Sequence, residues 1–155
     1  MAALVAERGC DCCLMHMLGE PRTMQDDPRY DDVVAEVTAF LAKRADVTMA
    51  AGIAHKHILI NPNIEFGKTM EHNLTLLGDL GAIAALGFPV VLGTSRKSFL
   101  GRITGRADPH ERAVATAATS VLGLERGASV FRVHDVAATR DALLVADATL
   151  RAHGA

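Results

Sequence analysis

Four short apolar segments recur along the chain, and each is followed by a polar loop and then by a helical pattern. They are CCLMHM (12–17), HILIN (57–61), FPVVLGT (88–94) and SVFRVH (129–134). Each segment is rich in β-forming residues and has the length of one buried strand. The pattern therefore predicts four consecutive βα units.

The segments between the predicted strands carry helical stripes with recognisable ends. The expected N-caps are Asp31, Thr69, Asp108 and Asp135. Pro109 and Glu111 add a first-turn proline and a capping-box acid after the third cap. Gly52, Gly87 and Gly127 stand just past three stripes, where a left-handed residue is expected. The helices thus have defined starts and stops.

The order of these elements predicts an α/β architecture. The first eight residues, MAALVAER, have a helical composition and end at Gly9, as expected for the last helix of a preceding unit. Four βα units after such a helix predict the C-terminal half of a (β/α)₈ barrel, a single partial domain over residues 1–155. Ligands of alternating α/β folds bind at the carboxyl ends of the strands, so we expect the chemistry on the βα loops.

Composition excludes several functional classes. The chain has 16 Lys and Arg against 18 Asp and Glu, interspersed along it, which predicts neither a nucleic-acid surface nor a membrane-surface helix. Its apolar runs are far shorter than the roughly 20 residues that span a bilayer, and no signal peptide is visible, so we expect a cytoplasmic protein.

Cys10, Cys12 and Cys13 fit neither a disulfide framework nor a zinc site, and we expect buried free thiols.

Two segments suggest an anion site. Residues 95–98, SRKS, place two cations, two hydroxyls and backbone N–H groups before the apolar pair FL, which suits a carboxylate or a phosphate. Alternation along SVFRVHDV (129–136) puts Arg132 and His134 on one side of the last strand. Buried cations are paired or hold an anion, so we expect a phosphate-bearing ligand. The alternatives are a solvated basic turn for SRKS and, for Arg132 and His134, a structural salt bridge to Asp135 or to another acid.

Two residues of the first strand have less specific expectations. His16 lies between two methionines, a setting typical of a hydrogen-bonded core histidine. Met17 either lines a flat aromatic ligand or fills core space. The histidines show no spacing typical of metal ligands, and we expect no protein metal site.

Taken together, four stretches resemble the dihydropteroate synthase family: LMHMLGEPRTMQ, ILINPNIEFGKTMEHN, GTSRKSFLG and FRVHDV, in this order. The resemblance covers essentially the whole chain and corresponds to the C-terminal half of the family's barrel. It implies an enzyme that joins 6-hydroxymethyl-7,8-dihydropterin diphosphate to 4-aminobenzoate and releases diphosphate. It also implies Mg²⁺, bound mainly through the substrate diphosphate, and competition by sulfonamides for the aminobenzoate position.

The resemblance implies roles for individual residues. The expected catalytic residues are Lys97, Arg132 and His134, of which Lys97 would reach the pterin while the other two hold the diphosphate. The other expected substrate-binding residues are Met17 on the pterin face, Asn61 at the bottom of the pterin pocket, Phe66 beside the aminobenzoate ring and Ser98 at its carboxylate. No covalent protein nucleophile is expected.

One motif departs from the family pattern. The family usually has DPGIGFGK where this chain has NPNIEFGK, so Asn61, Asn63 and Glu65 replace an aspartate and two glycines. An amide has one acceptor oxygen, and we expect pterin binding to lose about 1–3 kcal/mol. Asn63 tolerates a left-handed backbone, whereas Glu65 would cost roughly 1–2 kcal/mol in that conformation. We therefore expect the pterin site to be weakened.

The family's first half has no counterpart here, and a half barrel leaves two strand edges and one apolar sheet face uncovered. We expect a homodimer or association with an N-terminal half, and dihydropteroate synthesis in that assembly. The alternative is a catalytically inactive pterin-binding, diphosphate-binding or assembly module. A corrinoid-linked methyltransferase is a third hypothesis, against which TSRKSFLG and FRVHDV argue.

Overall fold

A computed structural model of the chain describes residues 1–153, so the predicted domain of residues 1–155 extends two residues beyond the described part. The strands are β1 (Cys12–Met15), β2 (Ile58–Asn61), β3 (Val90–Leu92) and β4 (Ala128–Phe131). The helices are α1 (Ala2–Arg8), α2 (Val33–Ala50), α3 (Met70–Gly78), α4 (Leu80–Ala84), α5 (Ser98–Thr104), α6 (Ala113–Glu125) and α7 (Val136–His153). Short 3₁₀ turns, His55–His57 and Pro109–Arg112, precede β2 and α6.

The strands form one parallel sheet in the order β1-β2-β3-β4. Cys12 stands opposite Ile58, and the ladder between β3 and β4 shifts register between Val90 and Val91. Because every strand runs in the same direction, all the strand carboxyl ends lie at one edge. The prediction of four βα units in a half barrel is confirmed.

Helices cover only one face of this sheet. Ile58 and Ile60 are fully buried on that face, together with Leu41 of α2. On the other face Met15 is 51% exposed and Val130 is 39% exposed. We call this second surface the bare face. Among residues 1–153, no helix combines the length and the apolar character that crossing a bilayer requires.

Two predictions for the last strand are wrong. β4 ends at Phe131 rather than at residue 134, and the ladder continues only through Arg132 N, which donates to Leu92 O at 2.9 Å. Arg132 and His134 are exposed rather than buried, because the strands that would close over them belong to no part of the described chain. The prediction that these side chains are buried assumed that both faces of the sheet are covered.

The three cysteines are free, as expected, but they are not buried: Cys10 and Cys13 are exposed and Cys12 is partly buried. Cys12 packs against the core beneath the helices. Because side chains alternate along a strand, Cys13 points to the bare face. The prediction of buried thiols is therefore wrong for a physical reason, the missing cover of this face.

The predicted helix caps are confirmed in part, and the predicted capping box between Asp108 and Glu111 does not form. Thr69 accepts from the third helical N–H of α3, as predicted, and Asp108 accepts from the backbone of the following 3₁₀ turn. At α2 the cap is Asp32, one residue later than predicted, and Asp31 N instead donates to Glu36 Oε1 at 2.8 Å. Gly52, Gly87 and Gly127 all have positive φ, as expected at their turns.

Helix α6 approaches β3 closely at Gly123. A Cβ added there would overlap Cδ2 of Leu92 and lie 3.7 Å from Cβ of Ala128. We therefore expect Gly123→Ala to lower the free energy of unfolding by about 1–3 kcal/mol, measured by urea denaturation, because overpacking displaces the helix.

Gly81→Ala is the matched control. A Cβ at Gly81, inside α4, meets open space, and alanine favours a helix over glycine by roughly 0.5–1 kcal/mol. This variant should gain stability. A Gly123→Ala variant that unfolds at the native urea concentration would contradict the close helix packing.

Candidate functional site

The loops at the carboxyl edge of the sheet gather the predicted site. We number them loop 1 (16–32), loop 2 (62–69), loop 3 (93–97) and loop 4 (132–135). The predicted site residues lie on these loops or at their borders: Met17 on loop 1, Asn61 and Phe66 at loop 2, Lys97 and Ser98 at loop 3, and Arg132 and His134 on loop 4.

Loop 2 is held from within by Lys68, which is only 3% exposed. Its Nζ donates to Asn63 O at 3.2 Å and to Phe66 O at 3.0 Å, and lies 3.1 Å from His16 Nδ1. An ammonium has only donors, so the ring nitrogen accepts and His16 is neutral. Burial and then repulsion by Lys97 lower the pKa of Lys68 to about 8. The prediction of a hydrogen-bonded core His16 is confirmed.

Asn61 is buried at the start of loop 2 and is already engaged. Its Oδ1 accepts from Asn63 N at 2.7 Å, and Asn63 has a left-handed backbone with φ of 54°. The Asn63 side-chain nitrogen is buried without a hydrogen-bond partner among residues 1–153. With its oxygen bound to the chain, Asn61 has its amide N–H₂ as the group available to a ligand.

Loops 2 and 3 meet at Glu65. Its Oε1 accepts from Ser98 N at 2.7 Å and from the Ser98 hydroxyl, and its Oε2 lies 3.5 Å from Lys97 Nζ. Lys97 Nζ also lies 4.0 Å from the centre of the Phe66 ring. Burial lowers the pKa of Lys97, and the Glu65 carboxylate partly offsets this. The structure thus brings together three predicted residues, Lys97, Phe66 and Ser98.

Loop 4 is tied to loop 3 by two separate contacts. Ser95 Oγ accepts from His134 N at 3.1 Å and lies 2.9 Å from His134 Nδ1. Arg96 donates through Nη2 and Nε to the Asp135 carboxylate at 3.1 and 3.3 Å, which holds the pKa of Asp135 below its usual value. Asp135 therefore pairs with Arg96, and the alternative of its ion pair with Arg132 or His134 is wrong.

Arg132 contributes positive charge to this edge, and within the described residues no carboxylate forms an ion pair with it. Its Nε would lie 3.5 Å from a Cβ at Gly93, so the guanidinium runs along the glycine backbone of loop 3. It is close enough to Lys97 to lower the pKa of that lysine further. The carboxylates of Glu65 and Asp135 are bound to other groups. The edge is therefore suited to an anion.

Arg112 supports loop 3 and was missed by sequence reasoning. It is 9% exposed, and its Nη1 donates to Arg96 O at 2.9 Å and to Lys97 O at 3.3 Å. Its Nε donates to Arg106 O at 3.1 Å, and Thr116 Oγ1 accepts from Arg96 N at 3.3 Å. Nothing in the local sequence PHER distinguishes this buried side chain from a surface arginine.

Two cavities adjoin Glu65 and Ser98. One, of about 380 Å³, also contacts Gln25, Lys68 and Arg102, and the other, of about 310 Å³, also contacts Phe66. The remaining predicted residues line neither cavity: Met17 is half-buried on loop 1, and Asn61, Lys97, Arg132 and His134 lie apart from both linings. The predicted site residues therefore fall into two separate parts of one edge.

The neutral His16 predicts a loss of stability in acid. Burial and then Lys68 lower the pKa of His16 to about 4, whereas an unfolded histidine has a pKa near about 6.5. As the pH falls below that value, the unfolded chain binds the proton first. Urea unfolding should therefore show roughly 2–3 kcal/mol of stability lost between about pH 6.5 and 4.

His16→Asn should remove this part of the pH dependence while keeping an acceptor for Lys68. His110→Asn, at an exposed position, is the control and should retain it. Equal pH slopes in the native chain and in His16→Asn would contradict a neutral buried His16.

Comparisons of this chain with a family profile and with individual relatives point to the same family. The profile described as "Pterin binding enzyme" matches residues 1–134. The dihydropteroate synthase of Neisseria meningitidis serogroup C is 47% identical over 132 residues, covering 84% of this chain and 47% of the relative. That of Escherichia coli strain K12 is 42% identical over 147 residues, covering 95% and 52%. The chain spans about half the length of these relatives.

Solved structures agree with this result. A dihydropteroate synthase from Stenotrophomonas maltophilia with active-site-bound imidazole matches with a TM-score of 0.91 and 48% identity, over 96% of this chain and 56% of that one. The Yersinia pestis enzyme in a sulfonamide drug complex matches with a TM-score of 0.93 and 35% identity, over 97% and 54%. On the profile match, the sequence identities and the shared fold, this chain belongs to the pterin-binding enzyme family.

Proposed function

We propose that this chain supplies the C-terminal half of a dihydropteroate synthase, which joins 6-hydroxymethyl-7,8-dihydropterin diphosphate to 4-aminobenzoate in folate biosynthesis. The observation that carries the proposal is the edge where Lys97 and Arg132 lie close together beside His134. Related solved structures are described as complexes with 7,8-dihydropteroate, 4-aminobenzoic acid and 6HMPPP.

The reaction breaks the bond between the pterin methylene and the diphosphate oxygen and forms a bond from that methylene to the amine nitrogen. The bonding electron pair leaves with the diphosphate, and the amine loses a proton. The Arg132 guanidinium can donate two parallel hydrogen bonds to phosphate oxygens. Ser95 occupies Nδ1 of His134 and leaves Nε2 for the leaving group. Catalysis then consists of positioning and electrostatic stabilisation.

The other predicted residues would bind the two substrates. Lys97 would contact the pterin, Met17 its face and Asn61 its edge, while Phe66 would contact the aminobenzoate ring. Ser98 would receive the aminobenzoate carboxylate, and sulfonamides would compete there. A cytoplasmic location remains a prediction.

We propose that Mg²⁺ enters with the substrate diphosphate. Within residues 1–153, His, Cys, Asp and Glu form no group of three or more that could hold a metal ion. Glu65 and Asp135 are bound to cationic groups of loop 3. The donor set of this chain therefore does not fit a resident Mg²⁺, and no step above depends on one.

The bare face supports a requirement for a partner. Met15 and Val130 are exposed on the edge strands β1 and β4, on the face that a closed barrel would cover, and the outer edges of these strands are unpaired. Such edges and apolar faces are normally covered. We propose that the N-terminal half of a synthase covers this face, with a homodimer as the other possible assembly.

A second candidate, a binding module without turnover, is favoured by loop 2. The Asn61 oxygen is bound within the chain, and Glu65 occupies donors that a substrate carboxylate would need. This module would keep the cationic edge and bind diphosphate.

Reconstitution separates the two candidates. We expect dihydropteroate to form only when the chain is mixed with the N-terminal half of the Neisseria meningitidis relative, with Mg²⁺ and both substrates. Arg132→Ala should lower turnover by about 100-fold, because it removes a donor to the leaving diphosphate. Arg140→Ala, on the exposed surface of α7, is the matched control.

Diphosphate binding without turnover in a mixture whose N-terminal half is folded would favour the module. Absence of diphosphate binding would contradict both candidates.

Asn61→Asp tests the altered pterin position. The carboxylate restores a second acceptor, and we expect pterin diphosphate to bind about 5- to 100-fold more tightly, measured by calorimetric titration of the reconstituted mixture. Ala3→Asp adds the same charge on exposed α1, away from the loops of the site, and controls for charge alone. Equal affinity in Asn61→Asp and the native chain would show that Asn61 does not contact the pterin.

A further inference from the structure

An intramolecular carboxylate already occupies the donors at the start of α5. Glu65 Oε1 accepts from Ser98 N at 2.7 Å and from Ser98 Oγ, and Oε2 lies 3.5 Å from Lys97 Nζ. The Lys97 and Glu65 side chains are only 13% and 21% exposed. Three donors from loop 3 and α5 thus converge on one carboxylate that loop 2 supplies.

The backbone at Glu65 is held so that the carboxylate stays there. Its backbone φ is 86°, a conformation that residues other than glycine rarely adopt. Glu65 N donates to Asn73 Oδ1 at 2.6 Å, and Glu65 O accepts from Gln25 Nε2 at 2.6 Å. Contacts from loop 1 and α3 therefore stabilise a strained residue, as expected where the strain serves a site.

The position of this carboxylate relates it to the amine substrate. Phe66, the expected neighbour of the aminobenzoate ring, stacks under the same Lys97 Nζ at 4.0 Å and lines a cavity with Glu65 and Ser98. A substrate carboxylate placed on Ser98 would compete with Glu65 for the same donors, and the two negative charges would repel each other.

We propose that Glu65 tunes specificity at the amine position by weakening the binding of arylamines that carry a carboxylate, relative to those whose para group donates a hydrogen bond, such as a carboxamide. The inference rests on the proposed function for the arylamine class. A para carboxamide N–H₂ can donate to Glu65, whereas 4-aminobenzoate has to displace it.

The test compares 4-aminobenzoate with 4-aminobenzamide on the full chain mixed with the N-terminal half, following the Ser98 amide resonance by NMR. The native chain should bind the amide more tightly. In Glu65→Gly the preference should reverse, with 4-aminobenzoate binding about tenfold more tightly than to the native chain. Glycine adopts the backbone conformation of this position, so the variant should fold.

Two further variants separate the effect of the Glu65 charge from that of its side chain and from a general change of charge. Glu65→Gln retains side-chain length without the charge, and it should also improve 4-aminobenzoate binding. Glu7→Gln removes a carboxylate from exposed α1, which precedes the amino end of β1, and should change neither affinity. Equal 4-aminobenzoate affinity in the native chain and both Glu65 variants would overturn the proposal.

Diphosphate binding, measured by phosphorus NMR in the same samples, separates this inference from the proposed function. If diphosphate binds but the Glu65 variants leave the preference unchanged, the inference fails and the proposed function stands. If diphosphate does not bind while the preference reverses, the proposed function fails and the discrimination by Glu65 against carboxylate arylamines stands. If neither arylamine binds any variant, the inference is overturned.

Discussion

Helices cover one face of the four-stranded parallel sheet and leave the other face bare, and most features of the molecule depend on this asymmetry. The fully buried Ile58 and Ile60 lie under the helices, whereas Met15 and Val130 lie on the open side. Burial of apolar area stabilises only the covered side. A closed barrel would therefore need a partner that covers the bare face. Without that cover, the site is open above loops 3 and 4.

The site is nevertheless ordered from the covered side. Lys68 and Arg112 are buried cations whose hydrogen bonds end on backbone carbonyls of loops 2 and 3. Each satisfies carbonyls that a loop would otherwise leave to water, and each fixes the position of a neighbouring functional side chain. This arrangement holds Lys97 and Phe66 in contact without the other half of a barrel. A covering half would then supply closure rather than loop order.

Sequence patterns predicted the part of this structure that depends on local periodicity and on motif order. The four strands, the caps at Thr69 and Asp108, and the meeting of Lys97, Phe66 and Ser98 are examples. Contacts between residues that are distant in sequence could not be predicted, because they leave no pattern in the neighbouring residues. Nothing in the neighbouring sequence indicates that Arg112 binds carbonyls of loop 3 or that Glu65 accepts from Ser98. Predictions that assumed a closed sheet failed, including the burial of Arg132 and Cys13.

The reactivity of Cys13 shows whether a second half barrel covers the bare face. Two variants each keep a single thiol: Cys10→Ser with Cys12→Ser keeps Cys13 on the bare face, and Cys12→Ser with Cys13→Ser keeps exposed Cys10 before β1. Maleimide labelling is measured with and without a saturating N-terminal half. We expect Cys13 to label about tenfold more slowly in the mixture, and Cys10 to label at an unchanged rate. Unchanged Cys13 labelling in a mixture that forms dihydropteroate would contradict it.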